Sequence, residues 1–231
     1  MFEYNIWIYL ALFFIYAVFG WIIETSIVSI REKRFINRGF LVGPYCPIYG
    51  NGVVLIHILL HDYFTGNPFT LIVLIIALCG VLEFFTSYFM EKLFKTRWWD
   101  YSNKNLNING RICLNNLFGF GLGGILVVLL NVKVVLPLLL KVNPTILKAS
   151  IIFIAVIYLF DCAFSSNIVI KFRTAGNKLK KDSTEEISVR VREMLNSKHF
   201  TKRLADAFPN FRLLMEKNID ELSKKIRRNN K

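Results

Sequence analysis

Three carboxylates, Glu24, Glu83 and Asp161, stand inside apolar stretches where ionised groups are expensive. Counted from the C-terminal ends of stretches 6–30, 69–90 and 146–170, they sit six, seven and nine residues in. At 1.5 Å per residue these are depths of roughly 9, 10 and 14 Å, a single layer. An acid at that depth costs at least about 2.5–3.5 kcal/mol on insertion scales, so it is expected to face a protein interior or a wet cavity. If the acids stay ionised they need cations, and Arg38 and Arg111 are the expected charge partners. If they crowd together, desolvation and like-charge repulsion make one of them a proton carrier. A polar pathway would then run along Glu24, Glu83, Asp161, Asn115 and Asn116. The plainer alternative is that the acids only tie helices together through Thr25, Ser87, Ser165 and Asn115.

The elements that must hold these groups are membrane helices. The chain has 231 residues, 54% of them hydrophobic and 19% charged, below the roughly 25% charge usual in soluble domains. Residues 171–231 carry 17 of the 29 basic and 8 of the 16 acidic residues. So apolar a first 170 residues excludes an ordinary water-soluble enzyme. The fold class expected is an all-α polytopic membrane protein: a transmembrane domain at 1–172 and a basic, cytoplasmic, amphipathic helical tail at 173–231.

A crossing helix needs about 20 apolar residues. Five spans are expected, at about 6–30, 43–61, 69–90, 112–130 and 146–170. The second is interrupted by Gly43, Pro44, Pro47 and Gly50, which point to a broken helix lining a cavity. The first is not a cleavable signal peptide, since no Lys or Arg precedes it and the apolar run is too long. Lys and Arg number four in 31–38, none in 62–68, five in 91–111 and three in 131–148. The positive-inside rule then places the N-terminus outside and the C-terminus in the cytoplasm.

The region 20–52 reads against 80–123. Gly20 and Glu24 match Gly80 and Glu83, each followed by a basic loop and a glycine, Gly39 or Gly110. Tyr49, Gly50 and Gly52 then fall on Phe120, Gly121 and Gly123 without gaps, which would make a parallel two-helix repeat plus one further helix. The second loop is longer by twelve residues. It holds Trp98, Trp99, Asp100 and Tyr101, then the polar run Asn107 to Arg111. An interfacial aromatic belt is the plainer reading of the tryptophans; a gate or partner-docking loop carried by Trp98, Trp99, Asp100 and Tyr101 is the sharper one and also explains the polar run.

Other features carry less. His57 and His61 are four residues apart beside Asp62, two ligands short of a complete metal site. The four cysteines form no CxxC pair. In the tail, Ser183 and Glu186 make a capping box opening a helix at 184–196. A short stretch at 201–208 and an apolar-striped helix at about 210–228 follow, suited to an anionic leaflet, a soluble partner or a second copy. Basic residues alternating with acids there argue against nucleic acid. No phosphate loop, HExxH or GxSxG occurs, so the chain is not expected to be an ATPase, metalloprotease or serine hydrolase.

At several of these motifs the chain resembles the ABC-transporter type IV, or CmpB-like, permease family. The resemblance rests on Gly20-Trp21 with Glu24, the stretch from Gly43 to Gly50, and Glu83. It also rests on Trp98 to Ser102, Asn107 to Leu114, and Ala207 to Asn210. It implies a transport subunit of a bacterial cell membrane working with a separate cytosolic ATPase. No cofactor is expected, and the lipid bilayer and a homo-oligomer are further expected partners. A non-transporting scaffold or sensor that recruits cytosolic proteins through its tail is the alternative. A membrane-embedded enzyme using the clustered acids is a weaker third class.

Overall fold

Asparagine opens three long helices. Asn5, Asn67 and Asn143 turn their side-chain oxygens onto the backbone N–H groups of Trp7 (3.3 Å), Phe69 (2.8 Å) and Thr145 (2.9 Å), satisfying donors that a helix start leaves orphaned. They begin α1 (Ile6–Glu32), α3 (Pro68–Phe94) and α6 (Pro144–Lys181), the last two with proline in the first helical position. Between them lie α2 (Pro47–Leu60), a two-stranded hairpin of β1 (Asn107–Ile108) and β2 (Ile112–Cys113), then α4 (Leu114–Leu130) and α5 (Leu136–Lys141). The computed structural model describes residues 4–94 and 97–181 (171–181 by backbone alone), together with Arg203 and Ala207. The capping box at Ser183 and the expected tail helices otherwise lie outside the described residues.

Four helical stretches are long and apolar enough to cross a membrane: Ile6–Glu32, Pro68–Phe94, Leu114–Lys141 and Pro144–Ile170. The third runs past the expected end at 130. Pro137 has no N–H for the Lys133 carbonyl and its ring crowds that oxygen. The chain accommodates this with a π-turn at Asn131–Val135, where the Leu136 N–H reaches the Asn131 carbonyl. The helix therefore continues through Lys133 to Lys141, and Val142–Asn143 joins it to α6. The expected loop at 131–148 is mostly helix.

The second expected span differs too. Helix α2 has 14 residues, about 21 Å, and the stretch before Pro47 is not helical. That stretch is nonetheless tied down group by group. Ile36 N–H donates to Ser29 Oγ (3.0 Å), Arg38 N–H to Thr25 Oγ1 (3.3 Å), Asn37 Nδ2 to Val42 O (3.0 Å) and Cys46 N–H to Ala17 O (2.8 Å). Trp21 Nε1 holds Asn37 Oδ1 at 2.6 Å, and Leu41 is fully buried. Irregular backbone at membrane depth persists only where protein satisfies it, and here it is satisfied.

Two close pairs build the bundle, α1 on α2 and α3 on α4. A Cβ at Gly20 would sit 2.3 Å from the Tyr49 ring, and one at Gly50 2.3 Å from the Phe13 carbonyl oxygen. On the second pair, a Cβ at Gly121 would meet Ile76 at 2.7 Å and one at Gly124 would meet Ile75 at 2.5 Å. Small residues let these backbones approach. Leu136 packs with Ile8, Leu12 and Val53, while Ile56 and Leu60 pack with Leu71, Ile75 and Val128. At the other end the Phe40 ring meets Trp98 at 5.1 Å, so the 33–46 and 97–113 loops share one end of the bundle. Outward residues such as Phe153, Phe160, Leu122 and Leu126 are more than half exposed, the surface expected of helices solvated by lipid.

Candidate functional site

Glu24 is the better-partnered of the first two carboxylates. Tyr49, near the start of α2, donates its hydroxyl to Glu24 Oε1 at 2.6 Å, and Arg38 Nε lies 3.8 Å from Oε2. The close α1–α2 approach at Gly20 is what brings Tyr49 there. The Glu24 side chain is 36% exposed.

Glu83 sits deeper, at 4% exposure. Its donor is Tyr101, whose hydroxyl reaches Oε1 at 3.2 Å from the loop before β1. The hairpin places that tyrosine. Its turn runs through Asn109 (φ 52°) and Gly110 (φ 65°), closed by the Arg111 N–H on the Ile108 carbonyl at 2.9 Å. A Cβ on Gly110 would also come within 2.4 Å of Asp100 Oδ1, so only glycine fits. Tyr101 N–H then donates to the Gly110 carbonyl at 2.8 Å. The Tyr101 hydroxyl is pushed well above its usual range, first by burial, then by the charge of Glu83 and its hydrogen bond, with Cys113 and Glu24 adding to it. The charge of Glu24 reaches the hydroxyls of both tyrosines. Two membrane-embedded acids and two tyrosine hydroxyls thus form one electrostatic cluster.

Asp161 is arranged otherwise. Its Oδ1 accepts the Val42 N–H (2.9 Å) and Ser165 Oγ (2.8 Å), and its Oδ2 accepts the Gly43 N–H (2.6 Å). It anchors the irregular 39–46 stretch to α6 and borders an apolar groove of about 430 Å³ lined by Val156, Ile157, Phe160 and Phe164. From the tail, Arg203 donates to the carbonyls of Phe40 (3.1 Å) and Leu41 (2.6 Å), while Arg38 donates to the Ala207 carbonyl. One acid holds the stretch by its N–H groups and one guanidinium by its carbonyls.

Arg38 therefore lies beside Glu24, whereas Arg111 is drawn elsewhere, to Glu91 Oε2 (2.8 Å) and Ser87 Oγ (3.2 Å), above the rings of Phe84 and Tyr88. Asn115 is exposed and Asn116 half-buried on the first turn of α4; tyrosines, not these amides, donate to the glutamates. Gly43 and Pro44 lie in the irregular stretch, Pro47 starts α2, and Gly50 is a packing contact inside it. In the long loop Trp98 is buried against Phe40 and Phe94, and Trp99 Nε1 donates to the Arg111 carbonyl at 3.0 Å. Asp100 is bonded by Ser102 and Arg97, which hold its carboxyl below the usual range, the Ser102 hydroxyl contributing most. His57 is buried with Nδ1 3.2 Å from the Val53 carbonyl oxygen, and the rings of His57 and His61 both pack on Phe64. Among the described residues no three His, Cys, Asp or Glu side chains gather as a metal site.

Tyr49 was not read as a partner of Glu24, nor Tyr101 as a partner of Glu83. The available signals were the place of Tyr49 in the repeat and the Asn109-Gly110 pair, a strong hairpin marker. Nothing in the sequence pointed to Arg203.

Apolar helices with lipid-type surfaces around an internal polar cluster define a multi-pass membrane protein. The family model described as Putative ABC-transporter type IV matches residues 11–166, and the chain belongs to that family. No curated protein and no solved structure matches the chain.

Proposed function

We propose that the protein is the membrane-embedded subunit of a transporter of the bacterial cell membrane, crossing five times with its N-terminus outside and its tail in the cytoplasm. Glu24 and Glu83 line its polar pathway, and a separate ATPase supplies the energy. The observation that carries this reading is the Glu24–Tyr49 and Glu83–Tyr101 cluster, because acids within apolar helices are costly to a fold that has no use for them. Family membership supports the transport role. Arg38, Arg97, Arg111 and Arg203 gathered at one end support the orientation. The irregular stretch before α2 supplies the length its 14 residues lack, and the α1–α2 and α3–α4 pairs are the two copies of a parallel repeat. The exposed residues of the 97–113 loop, Asp100 and those at 102–106, together with the tail, would dock the ATPase.

Purification in mild detergent with identification of co-eluting chains tests this. A stoichiometric ATPase is expected; a homodimer alone would remove the reading. In proteoliposomes holding that complex, Glu24→Gln and Glu83→Gln should each lower ATP hydrolysis several-fold while the complex stays assembled.

Asp161 favours a second reading, that of a scaffold recruiting cytosolic proteins through its tail, since its contacts are those of a structural clamp. On that reading the carboxylate variants lose stability in detergent, and deleting residues 183–231 abolishes the cellular phenotype.

A further inference from the structure

An ionised Glu83 would have a charge that its surroundings leave unbalanced. Its Oε1 takes the Tyr101 hydroxyl, but its Oε2 is buried and without a hydrogen-bond partner. The cation nearest in sequence design, Arg111, is committed to Glu91 and Ser87. Among the described residues no Lys, Arg or His forms an ion pair with Glu83. The titratable groups about it are the Tyr101 hydroxyl from the loop, the Glu24 carboxylate from α1 and the Cys79 thiol one turn earlier on α3, which itself feels the Glu83 charge. None of them is a cation.

Glu24 is in the opposite position. It has Arg38 at 3.8 Å, Tyr49 at 2.6 Å and partial access to solvent. The cluster thus holds two acids and one guanidinium, and the surplus negative charge falls on the buried member. An uncompensated buried charge is strongly disfavoured, so this position calls for a counter-charge. A divalent ion would overshoot the single surplus charge and would want more acidic or histidine ligands than gather here.

We propose that Glu83 Oε2 is the binding site of one exchangeable monovalent cation, a proton or an alkali ion, with the Glu24–Arg38 pair as its neighbour. As a proton, it passes from hydronium to Oε2, forming one O–H bond and leaving water, and it departs by the reverse step. No redox partner is needed. The proposal deepens the pathway reading by naming the class of ion at its buried acid.

Infrared spectroscopy of the purified full chain at neutral pH, in choline buffer, tests occupancy without any transport assay. The carbonyl stretch of a protonated carboxyl is expected in the wild type, lost in Glu83→Gln and kept in Glu24→Gln. Should Glu83→Gln fail to fold, Glu83→Asp should shift the band in frequency. If the band survives added sodium and potassium, the occupant is the proton; if either salt abolishes it, the occupant is that alkali ion. Wild type and Glu83→Gln giving the same carboxyl spectrum in choline would overturn the proposal, while co-purification of an ATPase would still stand or fall separately.

Discussion

Tyr101 and Glu83 meet at 3.2 Å although one belongs to a polar loop and the other to the interior of an apolar helix. The hairpin turn at Asn109-Gly110 holds the tyrosine over the acid, so loop geometry and membrane chemistry are coupled through a single hydroxyl. Removing that hydroxyl leaves both oxygens of a buried carboxylate without a donor. Tyr101→Phe is expected to cost about 1–3 kcal/mol, read as a lowered melting temperature in detergent. Tyr49→Phe should cost less, because Glu24 keeps Arg38 and some access to water. Equal losses in the two variants would contradict the difference in burial.

Asp161 and Arg203 clamp the 39–46 stretch from its two polar sides. Asp161→Ala removes the acceptor of two backbone N–H groups and of the Ser165 hydroxyl, and leaving buried donors unpaired costs about 1–3 kcal/mol. Amide hydrogen exchange at Val42 and Gly43 should accelerate at least tenfold, and Arg203→Ala should accelerate the same peptide. Arg203→Lys should fall between, since an ammonium cannot fork across two carbonyls. Unchanged exchange in Arg203→Ala would mean that the tail does not hold this stretch.

Glycines that read alike in sequence should separate on substitution. At Gly50 an added methyl would press on the Phe13 carbonyl at 2.3 Å, and backbone cannot yield as a side-chain tip can. Gly50→Ala should destabilise by about 1–3 kcal/mol. At Gly119 an added methyl meets nothing within 4 Å, and alanine is the better helix former by about 1 kcal/mol, so Gly119→Ala should be neutral or stabilising. Thermal unfolding of both variants in the same detergent checks the pair.

The turn that carries Tyr101 should respond to acid. The Asp100 carboxyl is held below its ordinary value mainly by Ser102. Its stabilisation of the turn is therefore complete above the unfolded aspartate value, about 3.9, and disappears as pH falls through the depressed folded one. Asp100→Asn should remove this response. Backbone NMR signals of Ser102 and Gly110 followed through the acid range would show it, and identical titrations in wild type and variant would refute it.

Much of the architecture is legible locally. Asn-Pro pairs mark the starts of α3 and α6, and apolar runs mark the four long helices, because caps and hydropathy act through neighbours in the chain. The expected span stopped with α4 at Leu130 because Asn131 and Lys133 look like a loop, yet a π-turn absorbs Pro137, carries the helical stretch on to Lys141 and buries Asn131 against the Tyr16 hydroxyl at 2.6 Å. Counting residues puts all three acids in one layer, at roughly 9, 10 and 14 Å, but a shared layer is not a shared set of surroundings. Glu24 and Glu83 share a cluster, whereas Asp161 serves the backbone of the irregular stretch.

The sequence alone determined that this chain belongs in a bilayer and that three acids lie within its apolar stretches, since helix rise and the cost of burying charge depend only on residue order. Tertiary structure decided which acid has a cation, which has only a hydroxyl and which has backbone amides. Those partners come from distant segments, Tyr49, Tyr101, Arg38 and the 39–46 loop, and packing rather than spacing brings them within hydrogen-bond reach.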